Sequence, residues 1–442
     1  MRNHAVLLFL LPALLPGAEY FVSGSGNDAN DGRSAASAFR SIQKAADMTA
    51  PGDTVSVLDG EYTNSCAGCS VVNITRSGSA DAWIIYRAWY RHKPRIRFTG
   101  WAGFGVSGGA SYIEISGFEV QGSRADASFQ YCRADRLASN PDPICNGNGI
   151  SIDGRNDGAK KPHDIRVARN HVWQCAGAGI SAIHSDYVTI EDNQVNENAW
   201  YSRYATSGIS IWQAWNVDNN TGTKMIVRRN RVYNNRSLVD WTATGALSDG
   251  NGIIIDDSRN TQGSTNGVYN GRFRVENNLS FDNGGGGITV YSSDHVDVVN
   301  NTLYKNGQVV EYADLFINQS GDVRAENNIA WARTGASALS VYSSSATLDY
   351  NLYFNTRPVS LSGAHDLFAD PELANPDTDP AVADFHPLAA SPAVGSGDPS
   401  LAPADDLEGI ARPAQGGITR GAFQSVARSD AGGRGRRGGL SR

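Results

Sequence analysis

The chain is poor in several things at once. Among 442 residues there are only three methionines and five cysteines, and after the first fifteen residues no apolar run is long enough to span a bilayer. Basic residues do not exceed acidic ones: 38 Lys and Arg stand against 45 Asp and Glu, a net charge of −7. That balance gives no reason to expect a nucleic-acid partner, and the missing apolar runs exclude a helical membrane span. A single C-x-x-C, Cys66 to Cys69, has no second pair to complete a zinc site and no βαβ setting for a redox motif. What replaces these residues is glycine, 48 copies, with many Asn and Asp and short runs of Val, Ile and Thr. Such a composition favours turns and strands over helices.

The termini read as separate from the body. Arg2, the apolar run Ala5 to Leu15 and the small residues before Glu19 form a secretory signal over residues 1–18. Residues 426–442 are a Gly- and Arg-rich tail expected to be disordered. Export suits disulfides, and a Cys132–Cys145 bridge would pin the Asn140-Pro141-Asp142-Pro143 excursion. Cys66 and Cys69 could close a small loop, leaving Cys175 as a buried hydrophobe.

Between the termini, asparagine recurs on one register at Asn170, Asn193, Asn230, Asn278, Asn301, Asn328 and Asn351, with separations of 23, 37, 48, 23, 27 and 23 residues. Each closes a run of alternating polarity, such as VTIEDN, MIVRRN or FRVENN. A period near 23 with several short strands per turn is what a solenoid of stacked parallel strands produces, because each coil buries its apolar face only against its neighbours. The expected fold is all-β, a right-handed parallel β-helix within a single domain, residues 19–425. Amides stacked about 4.8 Å apart can hydrogen-bond along the axis, and Asn tolerates the left-handed backbone of a sharp bend. That structural reading also discounts Asn278 and Asn300 as glycosylation acceptors.

A second element recurs: GISI at Gly149, GISA at Gly179, GISI at Gly208, GIII at Gly252 and GITV at Gly287. In the plainest coils the ladder Asn leads to the next such Gly in nine residues, and that Gly to the next Asn in fourteen. Against this template the stretches Gly149–Asn170, Asn193–Gly208, Gly208–Asn230, Asn230–Gly252 and Gly252–Asn278 carry seven, six, eight, thirteen and twelve extra residues. Loops rising on both sides of one strand face make a groove, where a rigid scaffold places function.

Strand alternation then nominates the floor. With Ile253 and Ile255 pointing inward, Ile254 and Asp256 face out, and the equivalents of Asp256 are Asp153, Ile183, Trp212, Tyr291 and Asn318. At the following bend stand His184, Gln213 and Asp257, and the loops add Trp200, Tyr201, Arg203, Tyr204, Trp215, Asp240, Trp241 and Asp249. Aromatic rings and carboxylates in an open groove suit a carbohydrate polymer, whose sugar faces stack on rings while polar groups bond the hydroxyls. Asp153, Trp200, Tyr201, Tyr204, Trp212, Gln213, Trp215, Trp241, Tyr291 and His295 are the expected substrate contacts.

Two chemistries compete for Asp256 and Asp257. Together with Asp249 they could hold one Ca²⁺ that binds a uronate carboxylate and stabilises an enolate, or they could act as acid and base across a glycosidic bond. The net charge of −7 makes the cation part of the elimination reading. Proton transfer would fall to Asp256, Asp257, His184, Arg203 and Lys224, the last placed on an outward column with Tyr187, Arg272 and His295.

The segments YFVSGSGNDANDG and FRSIQKAADMTAPGDTVSVLDGEY, from Tyr20 to Tyr62, resemble the N-terminal part of pectate lyase-like right-handed β-helix proteins. The resemblance implies a short helix over Ser41 to Ala50, with Ile42, Ala45, Ala46 and Met48 on its apolar face, capping a solenoid that runs from Thr54 to Asn355. DLEGIARP at Asp406 and RGAFQ at Arg420 are similar to the terminal strands of bacterial members of that superfamily. NENAWYSRYATSGISIWQ and SDGNGIIIDD resemble a subgroup of secreted bacterial β-helix repeat proteins. The NTD, GHG and RIK motifs of polygalacturonase-like hydrolases are absent. These observations favour a secreted, monomeric polysaccharide lyase acting on a uronic-acid-containing glycan, with a glycoside hydrolase or a non-catalytic glycan-binding protein as alternatives.

Overall fold

A computed structural model describes residues 17–425. Most of the signal expected over residues 1–18, and all of the tail expected over 426–442, lie outside the described residues. Three parallel sheets wind around one axis. Sheet 1 has eleven strands, from Glu19–Val22 to Ala346–Asp349; sheet 2 has eleven, from Glu61–Thr63 to Leu367–Phe368; sheet 3 has nine, from Val72–Ile74 to Leu339–Tyr342. The solenoid therefore starts before Thr54 and continues beyond Asn355. Neighbours in each sheet are successive coils, so every backbone ladder is satisfied between coils and none within one.

The core follows from alternation. Ile150 and Ile152, Ile180 and Ala182, Ile209 and Ile211, Ile253 and Ile255, Ile288 and Val290, then Leu315 and Ile317 stack in register down sheet 3, all buried. Fully burying one such aliphatic side chain is worth about 1.5–3 kcal/mol.

The asparagine ladder is continuous. Asn170 Nδ2 donates to Asn193 Oδ1 at 3.1 Å, Asn193 to Asn230 at 3.0 Å, and the series runs through Asn278, Asn301 and Asn328 to Asn351. Asp366 ends it by accepting from Asn351 N and Nδ2. The left-handed residue is not the ladder Asn itself but its predecessor: Arg169, Asp192, Arg229, Asn277, Asn300, Asn327 and Tyr350 have φ between 52° and 59°. A second ladder escaped the sequence reading. Asn198, Asn235, Asn283 and Asn306 repeat the arrangement at the bend between sheets 2 and 3, and Asp314 terminates it.

Near the N-terminus a helix spans Ile42–Ala46, shorter than Ser41 to Ala50, with Ser41 capping it through a bond from Lys44 N to its hydroxyl. Ile42, Ala45 and Ala46 are buried, whereas Met48 is exposed and not part of that face. At the other end no regular strands form over Asp406–Pro413 or Arg420–Gln424; isolated bridges join Asp405 to Ala411 and, between the two segments, Ile418 to Gly397. These segments lie over sheet 2, where Leu407, Ala422 and Phe423 join Leu279, Phe281, Tyr304 and Leu352 in a second core. The Cys66–Cys69 and Cys132–Cys145 disulfides are both formed, and Cys175 is free and buried. Among the described residues no helix is long and apolar enough to cross a membrane.

Candidate functional site

Sheet 3 is the floor of a trough. The inserted residues 122–147, 197–207 and 234–251 rise where sheet 2 leads into it, and 154–162, 214–222 and 257–271 where it leads into sheet 1. The outward column is in register as the alternation requires: Asp153, Ile183, Trp212, Asp256, Tyr291 and Asn318 are partners in successive strands. Ile254 faces the same way but is covered, at 5% exposure.

Asp256 sits between Trp212 and Tyr291 with a single weak contact, Gln262 Nε2 at 3.4 Å from Oδ1. Burial, then the charges of Asp249 and Asp257, push its pKa well above the usual carboxylate range. Asp249 accepts from Ser248 Oγ at 3.0 Å and Asn251 Nδ2 at 2.9 Å, yet burial still raises its pKa to about 7. Desolvation, followed by the same three aspartates, raises the Tyr291 phenol. The floor thus carries a carboxyl group whose surroundings favour the protonated form over the charged one.

His184, Gln213 and Asp257 occupy the same bend in three consecutive coils, all left-handed at φ 48°, 52° and 51°. They form one hydrogen-bonded chain. Gln213 Nε2 donates to Asp257 Oδ2 at 2.8 Å, which turns its Oε1 toward His184 Nε2 at 2.9 Å. His184 Nε2 must then carry the proton, and Nδ1, which is buried without a hydrogen-bond partner, keeps a bare lone pair. Desolvation lowers the His184 pKa, assisted by Lys161 and Arg155 and opposed by the bond to Gln213.

Asp257 is committed to hydrogen bonds within the protein. It is fully buried, and its oxygens accept from Thr261 N, Thr261 Oγ1, Gln262 N and Gln213 Nε2. With those lone pairs used, it has none to offer a cation. Among the described residues no three His, Cys, Asp or Glu side chains are arranged to hold a metal. The donor set Asp249, Asp256 and Asp257 therefore does not fit the six to eight oxygens that Ca²⁺ needs, and no step is routed through calcium.

Other expected residues are committed elsewhere. Lys224 does not join an outward column: the ladder shifts between Thr223 and Met225, and the side chain is fully buried, 2.6 Å from Asp186 and 3.0 Å from Asp218. Burial alone would lower its pKa, but the bonds to Asp186 and Asp218 outweigh it and raise it. Arg203 binds Ala138 O and Thr242 Oγ1, pinning three loops together. Trp200 is an anchor, its Nε1 on Asn234 O and its ring 3.5 Å from the Arg124 guanidinium. Tyr201 packs near Phe129, with ring centroids 6.4 Å apart. His295 lies on sheet 1, paired to Asp322 at 2.7 Å, and does not face the trough. Trp215 and Trp241 are half-buried in the loops, whereas Tyr204 is exposed. The sequence reading missed Lys161 and Arg155, although the seven extra residues after Gly149 had marked their loop. Two surface depressions, about 360 Å³ beside Tyr353 and Phe368 and about 270 Å³ beside Arg169 and His171, contain none of the floor residues.

The model of the Pel9A-like right-handed beta helix region matches residues 20–328, more than half of the chain. The chain belongs to this family. The crystal structure of pectate lyase Pel9A shares the fold at 15% identity and a TM-score of 0.53, over 94% of this chain and 98% of that one. The complex of XylC with xylose aligns at 12% identity and a TM-score of 0.47, over 92% and 98%. No curated protein matches the sequence. At these identities the Pel9A-like relationship defines the scaffold and leaves the reaction to be argued from the trough.

Proposed function

We propose that this Pel9A-like protein is a secreted, carbohydrate-active enzyme that cleaves a uronic-acid-containing polysaccharide by β-elimination in the trough on sheet 3. The observation that carries the reading is the order of three successive coils: His184 with a bare Nδ1, then Trp212, then Asp256, a carboxyl group in surroundings that favour its protonated form. A sugar stacked on the Trp212 ring would have a proton acceptor on one side and a proton donor on the other. Substrate binding has to open the bend that buries His184 Nδ1; that nitrogen then takes the proton alpha to the uronate carboxylate, the bond from the β-carbon to the glycosidic oxygen breaks, and a carbon–carbon double bond forms. The departing oxygen takes its proton from Asp256, and both groups are reset by exchange with solvent. The two disulfides agree with an oxidising, extracellular setting.

Hydrolysis is the second reading, favoured by the adjacency of two carboxyl groups, Asp249 and Asp256, whose pKa values are both raised. A panel of polysaccharides, with and without added calcium, separates the two. Ultraviolet-absorbing unsaturated ends support elimination; new reducing ends without unsaturation support hydrolysis; binding without either product would leave a glycan-binding protein.

A further inference from the structure

Lys161 is an anomaly. It lies in the loop after the floor strand Asn148–Asp153, is only 8% exposed, and spends one of its three N–H bonds on Gly154 O at 2.9 Å. Among the described residues no carboxylate lies within salt-bridge distance of it. A buried cation without a counter-charge is costly unless an anion completes it. Its surroundings face the same trough. Arg155 is held against the floor carboxylate Asp153 through Nε at 3.0 Å and Nη2 at 2.6 Å, and half of its side chain remains exposed. Gly154, whose carbonyl the Lys161 ammonium holds, donates its N–H to Ile183 O at 3.0 Å, which sets the ammonium beside the bend that carries His184.

We infer that Lys161, with Arg155, forms an anion subsite at the His184 end of the trough and binds the carboxylate of the uronate being processed. This inference rests on the elimination reading and supplies what that reading lacks. Elimination requires the uronate charge to be neutralised before the alpha proton can leave, and the metal that would do so has no fitting donor set here. The carboxylate carbon is bonded to the carbon that loses its proton, so the group that binds the one must stand beside the group that accepts the other. Lys161 and His184 meet that requirement. Asp153 has a positioning role: its carboxylate fixes the Arg155 fork and prevents the two cations from facing each other unscreened.

The test measures charge-selective binding in the Asp256→Asn protein, so that turnover does not interfere. Oligogalacturonate, oligomannuronate and oligoglucuronate are compared with their methyl esters by titration calorimetry and by the NMR shifts of the His184 imidazole. At least one acid form should bind ten-fold or more tightly than its ester and shift the His184 signals. Lys161→Met should bring that ratio close to one without weakening binding of the ester. Arg155→Gln, at an exposed position that cannot unsettle the core, should lower the ratio as well. A ratio unchanged in Lys161→Met, or no acid form preferred over its ester by the parent, would overturn the inference. The elimination reading fails separately: acid-selective binding with no unsaturated product from the parent enzyme would leave the subsite standing and remove the reaction.

Discussion

Asp256 and Asp249 differ from the surface carboxylates in one respect, that their folded environment favours the proton. A carboxyl group with a raised folded pKa binds more protons in the native than in the unfolded state between about pH 4 and its folded value. Its contribution to stability is complete below the unfolded pKa and is lost as pH rises through the folded one. For Asp249, and for Asp314, which burial likewise raises to about 7 and whose Oδ2 has no partner, the window runs from near 4 to near 7. Melting temperature should therefore fall as pH rises across that window. Asp314→Asn should remove part of the fall, stabilising the protein at pH 8 and little at pH 4.5, as scanning calorimetry at the two pH values would show. Asp256→Asn should lower turnover by about 10²-fold or more if the group transfers a proton, with the fold intact by circular dichroism. The identity of the floor residues was legible in the sequence because alternation in a strand is strict. The chemistry of Asp257 was not, since its four hydrogen bonds come from residues 213, 261 and 262, on a bend and a loop whose paths no periodicity encodes.

At the scale of elements, the ladders and the buried ion pair hold the trough walls in place. Asn230→Ala would leave Asn193 N and one of the two Asn193 Nδ2 hydrogens without an acceptor and remove the Nδ2 bond to Asn278. At about 1–3 kcal/mol for each buried donor left unpaired, a loss of about 2 kcal/mol or more is expected in urea unfolding. Asp186 is a hub that receives Lys224 Nζ, Tyr269 Oη, Val217 N and Tyr187 N, and so ties the 214–222 and 257–271 loops to the coil beneath. Lys224→Met, which strands that carboxylate, should cost about 3–5 kcal/mol of stability. If Lys224 is structural, the surviving folded fraction should keep the parent's pH–rate profile; a displaced basic limb would return it to the list of bases. The first ladder was legible because its asparagines close strands of similar sequence. The second was written in the sequence just as plainly, because Asn198, Asn235, Asn283 and Asn306 each lie five residues after a member of the first, an offset that the search for strand-closing asparagines passes over.

The whole molecule is a stack whose coils differ mainly in the length of their loops. The excess length lies on the coils of Gly149, Gly208 and Gly252, on both sides of one sheet, and ordering it costs conformational entropy that the solenoid does not need for its own stability. Trp212 and Asp256 lie on the last two looped coils, with His184 on the plain coil before them and Lys161 in the loop of the first. Calcium should leave the melting temperature unchanged, because Asp257 is already fully bonded within the protein; a rise of several degrees on adding it would reveal a donor set assembled on binding. The central claim is that His184 and Asp256 perform an elimination on a sugar stacked over Trp212. The most direct measurement is the ultraviolet absorbance of unsaturated ends released from uronate polysaccharides by the parent, His184→Ala and Asp256→Asn proteins. The account predicts product from the parent on at least one uronate polymer and a loss of about 10²-fold or more in each variant. Parent-like rates in both variants, or reducing ends without unsaturation, would contradict it.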